Sequence, residues 1–240
     1  MTSKAAAAPK VAPSAPSAPG SKRRRRISRD DPPDRRFPVI YRRLDKEYPR
    51  AKTALNFSTP YEMLFATIMS AQSTDATVNK VTAKLFTKYR TLEDYANADP
   101  QAFEADIHQT GFFRMKTKAI QGSARRLLEV YDGKVPETMA EILTLPGVAR
   151  KTANVVLGNA YGVVQGIAVD THVGRLARRL GLTKEKDPVK VERDLMQLVP
   201  RSKWQQVTYL LIEHGRKVCK APVPRCEECV LSDICPSSRV

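Results

Sequence analysis

No stretch of the 240-residue chain approaches the roughly 18 consecutive apolar residues of a membrane-spanning helix, which reads against insertion in a bilayer. A secretion signal is missing as well. Residues 5–20 alternate Ala and Ser with Pro9, Pro13, Pro16 and Pro19 and hold no continuous apolar segment. The same prolines oppose the amphipathic helix of a transit peptide, although the first acidic residue is as late as Asp30. Acidic residues are scarce, with 25 Asp and Glu against 41 Lys and Arg. The resulting charge of +16 exceeds what exposed acid-base pairing absorbs, so the natural partner is a polyanion. Only four cysteines occur, all between positions 219 and 235, which leaves none for a disulfide between distant parts of the chain. β-Hairpin turn signals are absent too.

What is present is helical periodicity, beginning with Phe37, Ile40, Leu44 and Tyr48 on one face. Residues 1–36 precede it as a disordered basic arm. They are rich in Ala, Pro and Ser, carry the run Lys22-Arg23-Arg24-Arg25-Arg26, and serve as a phosphate tether, a nuclear address or a passive tail. Thr59, Pro60 and Glu62 supply an N-cap, a first-turn proline and a capping-box glutamate ahead of Leu64, Phe65 and Ile68. Asp99-Pro100 and Asp187-Pro188 repeat that start signal. Further helices are predicted near Val78–Tyr89, Met115–Tyr131, Lys151–Tyr161, His172–Leu180 and Lys203–Val218, with Gly133, Gly162 and Gly181 as stops. The fold class is all-α.

Cys219, Cys226, Cys229 and Cys235 form one candidate metal site, because Pro222, Pro224 and Pro236 favour a wrapping loop and nothing marks an oxidising compartment. Their spacing alone is compatible with tetrahedral zinc or with an iron-sulfur centre. Residues 145–152, Leu-Pro-Gly-Val-Ala-Arg-Lys-Thr, lie between two helical patterns and read as a helix-hairpin-helix. Such a turn presents backbone N–H groups at a helix N-terminus, where they hold a phosphate without reading base sequence. Lys151 falls in the first turn of the second helix. There the dipole and neighbouring Arg150 oppose a further positive charge and favour the free amine that imine chemistry needs. Read alone, the turn favours a solvent-exposed lysine paired with phosphate over a nucleophile. Asp170, in Val169-Asp170-Thr171-His172, is a candidate helix N-cap and also a carboxylate able to stabilise positive charge on a sugar.

Together the hairpin with Lys151, the segment around Asp170 and the four-cysteine spacing resemble the endonuclease III family of DNA glycosylases over roughly residues 37–236. The resemblance implies two helical domains with DNA in the cleft between them. Residues 53–163 would form a six-helix bundle with the hairpin at about 139–161, and residues 37–52 plus 164–240 a cluster domain. It implies a [4Fe-4S] cluster on the four cysteines in place of zinc. The activity implied is base-excision repair by a bifunctional glycosylase and abasic-site lyase acting on oxidised pyrimidines in double-stranded DNA, as a monomer, at the bacterial nucleoid or in a eukaryotic nucleus. Lys151 would attack C1′ and expel the base, β-elimination would follow from the Schiff base, and Asp170 would assist both steps. By the same resemblance Gln72 fills the gap left by the extruded nucleotide, Ser70 and Asp75 lie near the pocket, and Phe112 is an apolar wedge. Gly147, Ala149 and Arg150 belong to the DNA-contacting hairpin, and Lys116 and Lys118 face either phosphate or solvent.

Ala149 departs from the family pattern, which has glycine there, and this puts the hairpin backbone in question. His172 and His214 read as structural groups and Trp204 as core. The rivals are a mismatch or adenine glycosylase, which commonly lacks the lysine, and a non-catalytic DNA-binding or redox-sensing protein that keeps the cluster as a clamp.

Overall fold

In the computed structural model, which describes residues 26–240, eleven α-helices and three short 3-10 turns make up the regular structure, with no strand among the described residues. They are α1 (Pro33–Glu47), α2 (Pro60–Met69), α3 (Asp75–Lys88), α4 (Leu92–Asn97), α5 (Pro100–Ile107), α6 (Phe113–Val130), α7 (Met139–Ile142), α8 (Arg150–Ala160), α9 (Thr171–Arg179), α10 (Pro188–Leu198) and α11 (Trp204–Lys217).

The start signals act as local chemistry dictates. Thr59 Oγ1 accepts from the N–H of Glu62, whose carboxylate reaches back to the N–H of Thr59, completing the capping box of α2. Asp99 and Asp187 cap α5 and α10 in the same way, each followed by a proline that has no N–H to leave unsatisfied. α4 is an addition: Thr91 and Asp94 form its capping box, with aspartate in the place of the usual glutamate. The ordered chain also begins before Phe37. α1 starts at Pro33, and Arg36 is buried, donating to the carbonyls of Asp31, Leu180 and Gly181. Residues 33–36 are therefore helical and anchored, correcting the expectation of a disordered arm up to 36. The basic run up to Arg25 lies outside the described residues.

Apolar side chains gather into two cores. One draws on residues 55–157 and is centred on α2, whose residues 63–69 are all buried. A helix apolar on every side belongs in an interior, and α2 packs against α8, α6 and α3. Beside it Phe65, Tyr95, Phe103 and Tyr89 form a cluster with ring centroids 4.8–6.0 Å apart. This half contains α2 to α8, of which α7 is a single turn. The second core joins α1 (Phe37, Ile40, Leu44) to residues 167–234, chiefly α9, α10 and α11. Trp204 packs at its margin and donates its indole N–H to the carbonyl of Val199. The chain crosses between the cores in residues 48–59 and 161–170, and the candidate site lies against the second crossing.

Candidate active site and cysteine cavity

The turn before α8 depends on one glycine. Gly147 has φ +75°, and a Cβ there would lie 2.6 Å from the Cβ of Ala119 on α6, so both the dihedral and the space exclude a side chain. Ala149 is different. Its φ of −97° and ψ of 169° are extended, a conformation any residue adopts, so the departure from glycine imposes no backbone strain at that position. Ala149 is the N-cap of α8 and offers no side-chain acceptor, which leaves the first-turn N–H groups of the helix without a cap from within the protein. Arg150 is turned aside. Its Nε donates to buried Glu192 on α10 at 2.7 Å, and Glu192 also accepts from Asn154 at 2.9 Å.

Lys151, one residue further, is exposed and faces a cleft of about 800 Å³. Ser70, Gln72, Asp75, Asp170 and His172 line the same cleft. A narrower pocket of about 90 Å³ shares Ser70, Asp75, Lys151, Asp170 and Arg216 with it. Six of the side chains singled out in the sequence thus meet in one place, although they come from α8, the α2–α3 connection and the starts of α3 and α9. Lys151 forms no ion pair or side-chain hydrogen bond among the described residues. Asp170 is the N-cap of α9: Oδ1 accepts from the N–H of Val173 at 2.7 Å, which fixes the carboxylate and leaves Oδ2 without a protein donor. Ser70 ends α2 and turns its hydroxyl to the carbonyl of Thr67 at 2.7 Å.

Arg216 had no signal in the sequence. From the last turn of α11 it donates to Asp75 Oδ2 at 2.6 Å, so it joins the two halves of the chain on the lining of the cleft. Lys186 and Arg178 add positive charge to the wall. His172 is held below the ordinary imidazole value by burial, with Arg175 and Arg216 acting the same way and Asp170 opposing them. It accordingly stays neutral and aligns with Arg175, whose guanidinium lies 3.2 Å from its Nδ1.

The remaining candidates flank the cleft. Gln72 lies in the α2–α3 turn with φ +54°, and Phe112 is the N-cap of α6 with φ +49° and 60% exposure. Met115, one helical turn beyond Phe112, is 73% exposed. Lys116 is turned inward: it is buried at 4%, because it shares the inward face of α6 with Ile120 and Ala124, while Lys118 is exposed.

Cys219, Cys226, Cys229 and Cys235 border a single cavity, together with Arg179 and His214. Donors point at the sulfurs. Arg179 donates to Cys219 Sγ at 3.3 Å and the N–H of Leu231 to Cys229 Sγ at 3.4 Å. Burial pushes the Cys229 thiol up to about 11 and raises Cys235 as well. His214, 2% exposed, is driven down to about 4 by burial. Its neutral ring bridges Tyr48 Oη at 3.0 Å and Cys229 Sγ at 3.3 Å, a structural role.

Residues 65–201 match the family model of the HhH-GPD superfamily base excision DNA repair proteins. Endonuclease III of Synechocystis sp. is 54% identical over 196 residues, which is 82% of this chain and 90% of the relative. Endonuclease III of Escherichia coli is 41% identical over 82% of this chain and 92% of its own length. Among solved structures, a trapped endonuclease III-DNA covalent intermediate superposes with a TM-score of 0.82 at 40% identity, covering 85% of this chain and 96% of that one. A thermostable thymine-DNA glycosylase, 24% identical with a TM-score of 0.76 over 86% of this chain and 98% of that one, shares the fold.

Proposed function

The chain belongs to the endonuclease III family of base excision DNA repair proteins, and from that membership we propose a bifunctional glycosylase and abasic-site lyase that removes oxidised pyrimidines with Lys151 as nucleophile. The observation that carries this reading is the unpartnered Lys151 amine sharing one cleft with Asp170, whose Oδ1 is committed to its helix and whose Oδ2 is not. DNA is the partner. The +16 charge draws its backbone to the cleft, and the uncapped N–H groups at the start of α8 offer a seat for one phosphate.

With a damaged nucleotide turned into the cleft, Lys151 Nζ forms a bond to C1′ as the glycosidic bond breaks and its electron pair leaves on the base. Oδ2 of Asp170 stabilises the positive charge that develops on the sugar and accepts the proton lost by the amine. Opening of the sugar ring gives an imine between Lys151 and C1′. Removal of a C2′ proton then expels the 3′ phosphate by β-elimination, and water releases the lysine. Gln72 and Phe112 fill the gap in the stack, which offsets an unstacking cost of a few kcal/mol. Cys219, Cys226, Cys229 and Cys235 would hold a [4Fe-4S] cluster. Bound there, it would tie the segment that follows α11 to the C-terminal loop, and no step above passes through it.

Borohydride reduction on duplex DNA containing an abasic site tests the assignment, since only an imine is trapped as a stable adduct. Wild-type protein should yield a covalent complex and Lys151→Ala none. An adduct with Lys151→Ala, or none with wild type, refutes it.

A further inference from the structure

Lys116 alone among the described lysines is buried. Its Nζ has no carboxylate partner and donates to the carbonyls of Met69 and Thr110, each at 2.7 Å. Met69 is the last residue of α2, and Thr110 ends the 3-10 turn (His108–Thr110) after α5. Carbonyls at helix ends lack intrahelical partners and sit at the negative end of the dipole, so the two ends together stand in for a counter-ion. Burial still holds the Lys116 pKa below the ordinary lysine value. A methionine of similar length would fill the same space without that desolvation, so packing alone does not account for a charge here.

Each of the two carbonyls sits just upstream of a residue proposed to enter the duplex. Gln72 comes three residues after Met69 and Phe112 two residues after Thr110, and both have positive φ, a strained state for non-glycine residues that persists only where the surroundings over-determine it. We propose that Lys116 is a positioning residue that ties the two loops together and sets the separation at which Gln72 and Phe112 enter the duplex in concert. This rests on the proposed function, in which those two side chains replace an extruded nucleotide. Lys151 lies on α8, whereas the hydrogen bonds of the Lys116 amine run to the end of α2 and the turn after α5, so Lys116 touches neither the proposed nucleophile nor Asp170.

Lys116→Met keeps the apolar stem and removes the donors. Full-length wild type and variant are compared on a duplex with one oxidised pyrimidine and on a single strand with an abasic site, where nothing has to be extruded. On the duplex, kcat/KM should fall on the order of 10²-fold, the scale of a misplacement of about 1 Å. Single-strand cleavage should stay within about twofold of wild type. A 2-aminopurine opposite the lesion should brighten on binding wild type and remain dark with the variant. In a Gln72→Ala/Phe112→Ala background the same substitution should add nothing. Equal loss on both substrates, loss on neither, or an additive effect in that background overturns the proposal. Lys116→Gln, with a shorter arm, carries the same comparison where Lys116→Met does not fold. A wild-type protein that cleaves neither substrate instead refutes the functional reading.

Discussion

Replacing Gly147 with alanine isolates what the hairpin demands of its backbone. Two costs add. The first is conformational: at φ +75° an alanine is held in the left-handed region, at roughly 1–3 kcal/mol. The second is steric. The new Cβ would stand 2.6 Å from Ala119 Cβ, well inside the ~3.5–4.0 Å of an ordinary carbon contact, and overpacking of this kind costs roughly 1–3 kcal/mol. The sum, on the order of 2–6 kcal/mol, is a large part of the ~5–15 kcal/mol that holds a domain folded. At about 2–4 °C per kcal/mol for a chain of this size, the melting temperature should drop by on the order of 10 °C.

Urea denaturation followed by far-UV circular dichroism measures the first effect, and binding to an abasic-site duplex measures its consequence for the phosphate seat. Adding Ala119→Gly to Gly147→Ala should return the steric share and leave the conformational one, which separates the two. Ala149→Gly is the control. Position 149 is extended, so glycine there should cost no more than about 1 kcal/mol and bring no gain in DNA affinity. A Gly147→Ala variant as stable as wild type, or an Ala149→Gly variant that binds DNA more tightly, would refute the assignment of the turn's requirement to Gly147.

The cysteine domain carries two further predictions. His214 has a folded-state value of about 4, below that of the unfolded chain, so the stability it contributes is present above about pH 6.5 and is lost as pH falls towards 4. His214→Gln, which retains polar contacts without titrating, should flatten the decline of the urea midpoint between about pH 7 and 4.5; an unchanged slope would exclude His214 as its source. Purified protein should be yellow-brown with about four iron atoms per chain and no stoichiometric zinc, and Cys226→Ser should lose both colour and iron. Colourless, zinc-loaded wild type would return the site to the alternative left open by the cysteine spacing.

How much of this was legible in the sequence depended on the range of the interaction. Caps are contacts between residues three apart, so Thr59, Asp99 and Asp187 announced their helices directly. α4 stayed hidden because six residues carry less than two turns of periodicity. The four cysteines were legible because they are close in sequence, and Lys151 and Asp170 because the motifs around them are local. The face of α6 that buries Ile120 and Ala124 includes Lys116, so its helical phase already pointed inward while its chemistry pointed outward. Phase was the better guide, since a lysine can be buried when backbone acceptors meet it.

The ion pair of Asp75 with Arg216 had no such signal, because 141 residues separate its partners and neither sits in a motif that implies the other. It becomes visible only once α3 and α11 are placed, and its position explains why the cleft needs both halves of the chain. α3 and α8 bring Asp75 and Lys151 from one core, while α9 and α11 bring Asp170 and Arg216 from the other. Neither half alone contains both the proposed nucleophile, Lys151, and Asp170. The proposed chemistry would therefore depend on how the two cores are docked, and the Asp75–Arg216 ion pair, on the lining of the same cleft, ties one to the other.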